Sequence, residues 1–129
     1  AVRALRDVID REPDNAPALN FLGYLFADRN RDLEEAEALV RRALARDPDN
    51  GAYVDSMGWV YYRLGRLEEA RRELERAVEL TRGDPVVLEH LGDVYKSLNL
   101  NDLARELYRR SLDRNRDNER VRAKLSELR

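Results

Sequence analysis

A chain of 129 residues is long enough to bury a real core. Its 43% apolar and 39% charged residues set it apart from both disordered tails and membrane proteins. The 24 basic and 26 acidic side chains interleave to a net charge of −2, without the basic patch or high pI of a nucleic-acid binder. No run approaches the ~20 apolar residues of a membrane helix. The absence of cysteine excludes disulfides, thiolate metal sites and cysteine nucleophiles.

Eight helices are predicted. The first, over 1–12, places Leu5, Val8 and Ile9 on its apolar side and ends before Pro13. Asn15 is the expected N-cap of a helix over 16–29, its side chain accepting from unpaired first-turn amides. A helix over 33–46 opens on Glu34 and Glu35, which suit the positive end of its dipole, and stops at Asp47-Pro48. Asn50 caps a helix over 51–64, and Gly65 suits the tight turn into one over 67–81, opening on Glu68-Glu69. Asp84 caps a helix over 85–98, with Pro85 in the first turn that tolerates it. Helices over 101–115 and 119–128 follow. The last puts Val121, Leu125 and Leu128 on one face, the pattern of a terminal capping helix.

These helices repeat. Gly23, Gly58 and Gly92 recur at spacings of 35 and 34, and Ala36, Ala70 and Ala104 at 34 and 34. Phe26, Tyr61 and Tyr95 follow each glycine by three residues; Ala43, Ala77 and Ser111 follow each alanine by seven. Small residues recur where two helices must cross closely, and large ones such as Leu19, Leu22, Val40 and Leu44 fill the space between them. A single pair cannot bury its apolar face alone, so stacking is required.

The pattern resembles the 34-residue tetratricopeptide repeat (TPR), whose signature positions are filled in the second repeat by Val54, Met57-Gly58, Tyr61, Ala70, Leu74 and Ala77. The resemblance implies an all-α, right-handed superhelix of antiparallel helix pairs. It divides the chain into a second helix of a truncated repeat (1–15), repeats at 16–50, 51–84 and 85–118, and a capping helix (119–129). Beginning in mid-repeat, the chain is expected to have lost upstream repeats. Two departures are visible: an extra residue in the first inter-helix turn, around Arg29-Asn30-Arg31-Asp32, and arginine at 82 and 116 where Pro13 and Pro48 close the earlier repeats.

Little in the sequence speaks for catalysis. The single histidine, His90, has Glu89 and Asp93 beside it as the one metal or acid–base candidate; groove-facing polar residues are the plainer reading. There is no glycine-rich phosphate loop. Arg41-Arg42, Arg71-Arg72 and Arg109-Arg110 alternate with glutamates as on a solvated face, a phosphate or lipid site being the alternative reading. No enzymatic activity, cofactor or metal is expected.

The resemblance places the first helices along a concave groove. The residues expected to line it include Asn20, Tyr24 and Asp28, then Asp55, Trp59, Tyr62 and Arg63, then Glu89, Asp93 and Lys96, with His90 beside them. Tyr24, Trp59 and Tyr62 are aromatic where the core does not need filling, and aromatics commonly anchor interfaces; the plainer reading packs Trp59 and Tyr62 against adjacent second-helix side chains. Asp28, Asp55, Glu89 and Asp93 make the surface largely acidic and suit a basic partner. The expected function is protein–protein interaction, an adaptor or scaffold taking a peptide or helix with apolar anchors and Lys/Arg neighbours. Trp59 and Tyr62 are expected to lose that capture on substitution by alanine without loss of helicity. The alternative is self-association, a homodimer through Leu5, Val8 and Ile9 at the exposed N-terminal helix. Neither nucleic acid nor membrane insertion is expected. The chaperone-binding class of TPR requires lysines and an arginine at positions held here by Asn20, Tyr24, Ser56, Val86 and His90, so capture of an acidic chaperone C-terminus is not expected.

Asp55-Ser56-x-Gly58-Trp59 and Glu89-His90-x-Gly92-Asp93 resemble the C-terminal repeats of large bacterial multi-TPR proteins, including outer-membrane lipoproteins of Gram-negative bacteria. That likeness implies an adaptor role and leans toward the bacterial envelope or periplasm. The 22 arginines against two lysines accord with a GC-rich bacterial genome.

Overall fold

The structure is a computed structural model that describes residues 1–128. Eight helices follow one another: α1 (Val2–Arg11), α2 (Ala16–Asp28), α3 (Leu33–Arg46), α4 (Gly51–Arg63), α5 (Leu67–Thr81), α6 (Pro85–Ser97), α7 (Asn101–Arg114) and α8 (Glu119–Glu127). Predicted and observed ends agree to within about a residue because the punctuation acts locally. Asn15 accepts from the amide of Ala18, Asn50 from Ala52 and Tyr53, and Asp84 from Val86 and Val87. Asn118 does the same for α8, accepting from Val121. The extra residue of the first turn is accommodated by two left-handed residues, Asn30 (φ 54°) and Asp32 (φ 50°).

The helices pair as α2–α3, α4–α5 and α6–α7, and the pairs stack so that α2, α4 and α6 run side by side. α1 packs on α2 at one end and α8 on α7 at the other. The core threads through the stack, built on Leu22, Phe26, Val40, Val54, Val60, Leu74, Val94 and Tyr108, all fully buried. The helix crossings need glycine. A Cβ at Gly58 would come within 2.5 Å of Leu74 Cγ, and one at Gly23 within 2.6 Å of Val40 Cγ2.

The N-terminal end differs from the sequence expectation. Leu5, Val8 and Ile9 are half-buried rather than fully exposed, with Leu5 and Ile9 packed against the core. The uncovered large residue near this end is Phe21 on α2, 59% exposed. It stands in the phase of Ser56 and His90, which are 2% and 5% exposed because α2 and α4 cover them.

Candidate functional site

The side-by-side first helices leave an open groove of about 910 Å³. α2 contributes Tyr24 and Asp28, α4 contributes Trp59, Tyr62 and Arg63, and α6 contributes Val86, Glu89, His90, Asp93 and Lys96. Tyr108 of α7 and Arg120 and Lys124 of α8 complete the wall. All the residues expected from sequence line it except Asn20, which is half-buried, and Asp55, which is buried.

The aromatic wall is tightly packed. The Trp59 ring stacks on His90 at 3.9 Å between centroids and on Tyr62 at 4.9 Å. The guanidinium of Arg63 lies 4.9 Å from the Trp59 ring centroid, a cation–π distance. That arginine also reaches back to α2, donating to the carbonyls of Ala27 (2.9 Å) and Asp28 (3.3 Å). At this helix end the Ala27 carbonyl also accepts from the Asn30 amide at 3.0 Å, and Arg63 adds further bonds and favourable charge. Trp59 is 6% exposed and part of the core. This corrects the expectation that position 59 is free of packing duty: the indole fills the seam between α4 and α6. Its Nε1–H is buried without an acceptor among the described residues, as is the acceptor Oδ1 of Asn20.

The electrostatics also depart from expectation. His90 Nδ1 lies 2.8 Å from Asp55 Oδ1, with both side chains buried. Glu89 receives two hydrogen bonds from Arg120 at 2.7 Å each and one from Lys124 at 2.7 Å. Asp93 accepts from Lys124 at 3.0 Å and from the Tyr108 hydroxyl at 2.6 Å. Gly92 makes that last contact feasible, since a Cβ there would lie 2.6 Å from the Tyr108 ring. Three of the four carboxylates expected to form an acidic inner face are therefore buried and partnered within the chain. Asp28 alone is exposed. For Glu89 and Asp93 the cause is α8, which turns Arg120 and Lys124 into the groove, and for Asp55 it is His90 of α6. Burial alone would push the Glu89 carboxyl up; the hydrogen bonds and charges of Arg120 and Lys124 outweigh it and hold the group at about 2. Burial works against the Lys124 ammonium too, but Glu89 and Asp93 raise it overall. Tyr24, pushed up to about 12 chiefly by burial and further by Asp28 and Asp55, is a neutral phenol at physiological pH.

These pairings draw apart the three residues of the metal or acid–base candidate. His90 turns to Asp55, Glu89 to α8, and Asp93 to Tyr108 and Lys124. Among the described residues, no group of three or more His, Cys, Asp or Glu side chains could hold a metal ion. No helix among the described residues is long and apolar enough to cross a membrane.

A common linkage joins the stacked units. Asp55–His90 and Glu89–Lys124 are both 35 residues apart and connect corresponding positions of successive helix pairs. Sequence reasoning missed Arg120 and Lys124 because it took the lining from three first helices only. The signal was present: Arg120 and Lys124 stand 34 residues after Val86 and His90, so the repeat register runs on into α8.

Comparisons with known proteins agree with this geometry. Two tetratricopeptide-repeat family models match, one over residues 29–91 and 61–128 and the other over 1–51. TPR repeat-containing protein PA4667 of Pseudomonas aeruginosa is 49% identical over 89 residues, 69% of this chain and 15% of that protein. This chain thus spans only a small part of that relative. A thermophilic TPR protein of Thermus thermophilus superposes with a TM-score of 0.85 at 21% identity, over 99% of this chain and 71% of the other. The first TPR of Spaghetti (RPAP3), solved bound to the HSP90 peptide SRMEEVD, superposes with a TM-score of 0.79 at 21% identity, over 88% of this chain and 89% of that one. From its repeat register, its stacked helix pairs and these matches, the chain belongs to the tetratricopeptide repeat family.

Proposed function

We propose that this chain is a non-enzymatic interaction module whose groove captures a peptide segment, extended or helical, from a partner protein. The observation that carries this reading is the groove itself: about 910 Å³, open to solvent, with Tyr24 and Tyr62 half-buried at its wall over a rigid Trp59–His90 stack. A wall held by internal hydrogen bonds loses little entropy on binding. The neighbouring fold carrying a bound peptide supports the same use of this architecture. That peptide's acidic chemistry is not carried over, because Asn20, Tyr24, Ser56, Val86 and His90 provide no lysine or arginine. The partner offers an apolar anchor to the tyrosines and a basic side chain to Asp28, the one exposed carboxylate of the four.

Because Trp59 belongs to the core, the test falls on Tyr62. Peptides selected against the chain by phage display should bind the Tyr62→Ala variant at least about tenfold more weakly, a loss of ~1.4 kcal/mol. Circular dichroism should stay unchanged. Equal affinity for the variant would remove the groove from consideration.

Self-association has one observation in its favour, the exposed Phe21. If that ring seats a second copy, sedimentation should show a mass that rises with concentration and returns to the monomer value in Phe21→Glu. A concentration-independent monomer mass would eliminate this second reading.

A further inference from the structure

The loops that precede the first helices carry Pro13-Asp14-Asn15, Pro48-Asp49-Asn50, Arg82-Gly83-Asp84 and Arg116-Asp117-Asn118. At the middle position, three have aspartate and the third has glycine. Relative to Pro48-Asp49, Arg82-Gly83 removes an acid and adds a base, so the pair goes from −1 to +1. The backbone changes with it. Arg82 and Gly83 are consecutive left-handed residues, at φ 55° and 81°, a backbone that glycine adopts freely and that excludes proline.

The arginines that serve these loops recur at a spacing of 34: Arg42, Arg76 and Arg110. Arg42 donates to the Pro13 carbonyl at 2.7 Å. Arg76 donates to the Pro48 carbonyl at 3.2 Å and pairs with Asp49 at 2.5 Å. At the third loop the carbonyls of Arg82 and Gly83 are taken instead by Arg114, at 2.8 and 3.3 Å. Arg110, in the phase of two arginines that are fully engaged, is left without an acceptor among the described residues. It faces a pocket of about 210 Å³ lined by Arg82, Gly83, Leu88, Arg110, Asp113 and Arg114. Asp113 is exposed and forms no ion pair with these arginines, and the neighbouring Asp84 carboxylate is committed to capping α6.

We infer that this pocket between the α5–α6 loop and α7 is a binding site for a phosphate group, free or on a small phosphomonoester. Three guanidiniums against one carboxylate leave a formal excess of two positive charges, matching a phosphate dianion. Arginine's planar fork suits phosphate oxygens, and Arg114 is already oriented by its two carbonyl bonds. The volume is that of about seven waters at ~30 Å³ each, room for a phosphate with a small remainder. The site lies outside the groove described above, so its fate is independent of the peptide reading.

Titration of the chain with inorganic phosphate, at ionic strength held constant with sodium chloride and followed by amide NMR, tests the site. Saturable shifts at Gly83 and Leu88 are expected. Arg110→Ala, which removes a side chain with no structural bond, should weaken binding at least tenfold. Arg82→Asn, a residue that tolerates the left-handed backbone, should do the same. Arg76→Ala, the same register in the preceding loop, should leave the affinity unchanged. Sedimentation with phosphatidic acid vesicles separates the sources: cosedimentation lost in Arg110→Ala assigns the phosphate to a lipid phosphomonoester headgroup, and none assigns it to a soluble one. Absence of saturable shifts, affinity retained in Arg110→Ala, or equal weakening in Arg76→Ala overturns the inference.

Discussion

Replacing Trp59 with alanine should lower the unfolding free energy by about 3–5 kcal/mol, the range for truncating a large buried aromatic. The indole is 6% exposed, and its removal opens a cavity at the seam of α4 and α6 and leaves His90 and Tyr62 without their common stacking surface. Urea unfolding followed by circular dichroism measures the loss; fluorescence cannot, since this is the chain's only tryptophan. A loss below about 1 kcal/mol, the scale of an ordinary surface substitution, would mean that the indole does not hold the seam. The substitution also bears on function, because any partner binding lost in this variant reports damage to the wall as well as loss of contact. Tyr62 is half-buried at the wall and is the cleaner probe.

The second large effect is expected at Glu89. Its carboxyl titrates at about 2 in the folded chain, against ~4.3 in an unfolded one. A depressed folded-state value means that the stabilisation is complete above ~4.3 and drains away as pH falls toward 2. A gap of about two units corresponds to at most about 3 kcal/mol. Glu89→Gln should therefore cost about 2–3 kcal/mol at pH 7, and the difference from the parent chain should shrink steadily between pH 5 and pH 2. Since Arg120 and Lys124 are the partners lost, α8 should lose hydrogen-exchange protection before the rest of the stack. A stability difference of constant size across that pH range would rule out this ion-pair cluster as its source.

Most of the architecture was legible because the rules that set it are local. Asn15, Asn50 and Asp84 cap because each stands just before an apolar-periodic run, and Gly23, Gly58 and Gly92 mark crossings because no side chain fits there. The groove residues were legible as positions, since a fixed repeat phase sends the same side chains to the same face. Their state was not. Whether Glu89 and Asp93 present free charge depends on Lys124, 35 and 31 residues downstream. Periodicity within one unit cannot show a pairing between units. The same blindness applied to Trp59, which reads as an interface aromatic until His90 of the next unit is seen lying against it at 3.9 Å. The degree of exposure at the N-terminal end was hidden for a related reason. Leu5 and Ile9 find cover within the fold, while Phe21 occupies a phase that an adjoining unit buries elsewhere.

The central claim is that a partner peptide lies in the concave groove. Amide NMR of the isotope-labelled chain, titrated with a peptide selected against it, tests this most directly. The account predicts shifts concentrated at Tyr24, Asp28, Tyr62, Arg63 and Val86, along one continuous path across α2, α4 and α6. Shifts confined to the outer helices α3, α5 and α7, with that path unmoved, would contradict it.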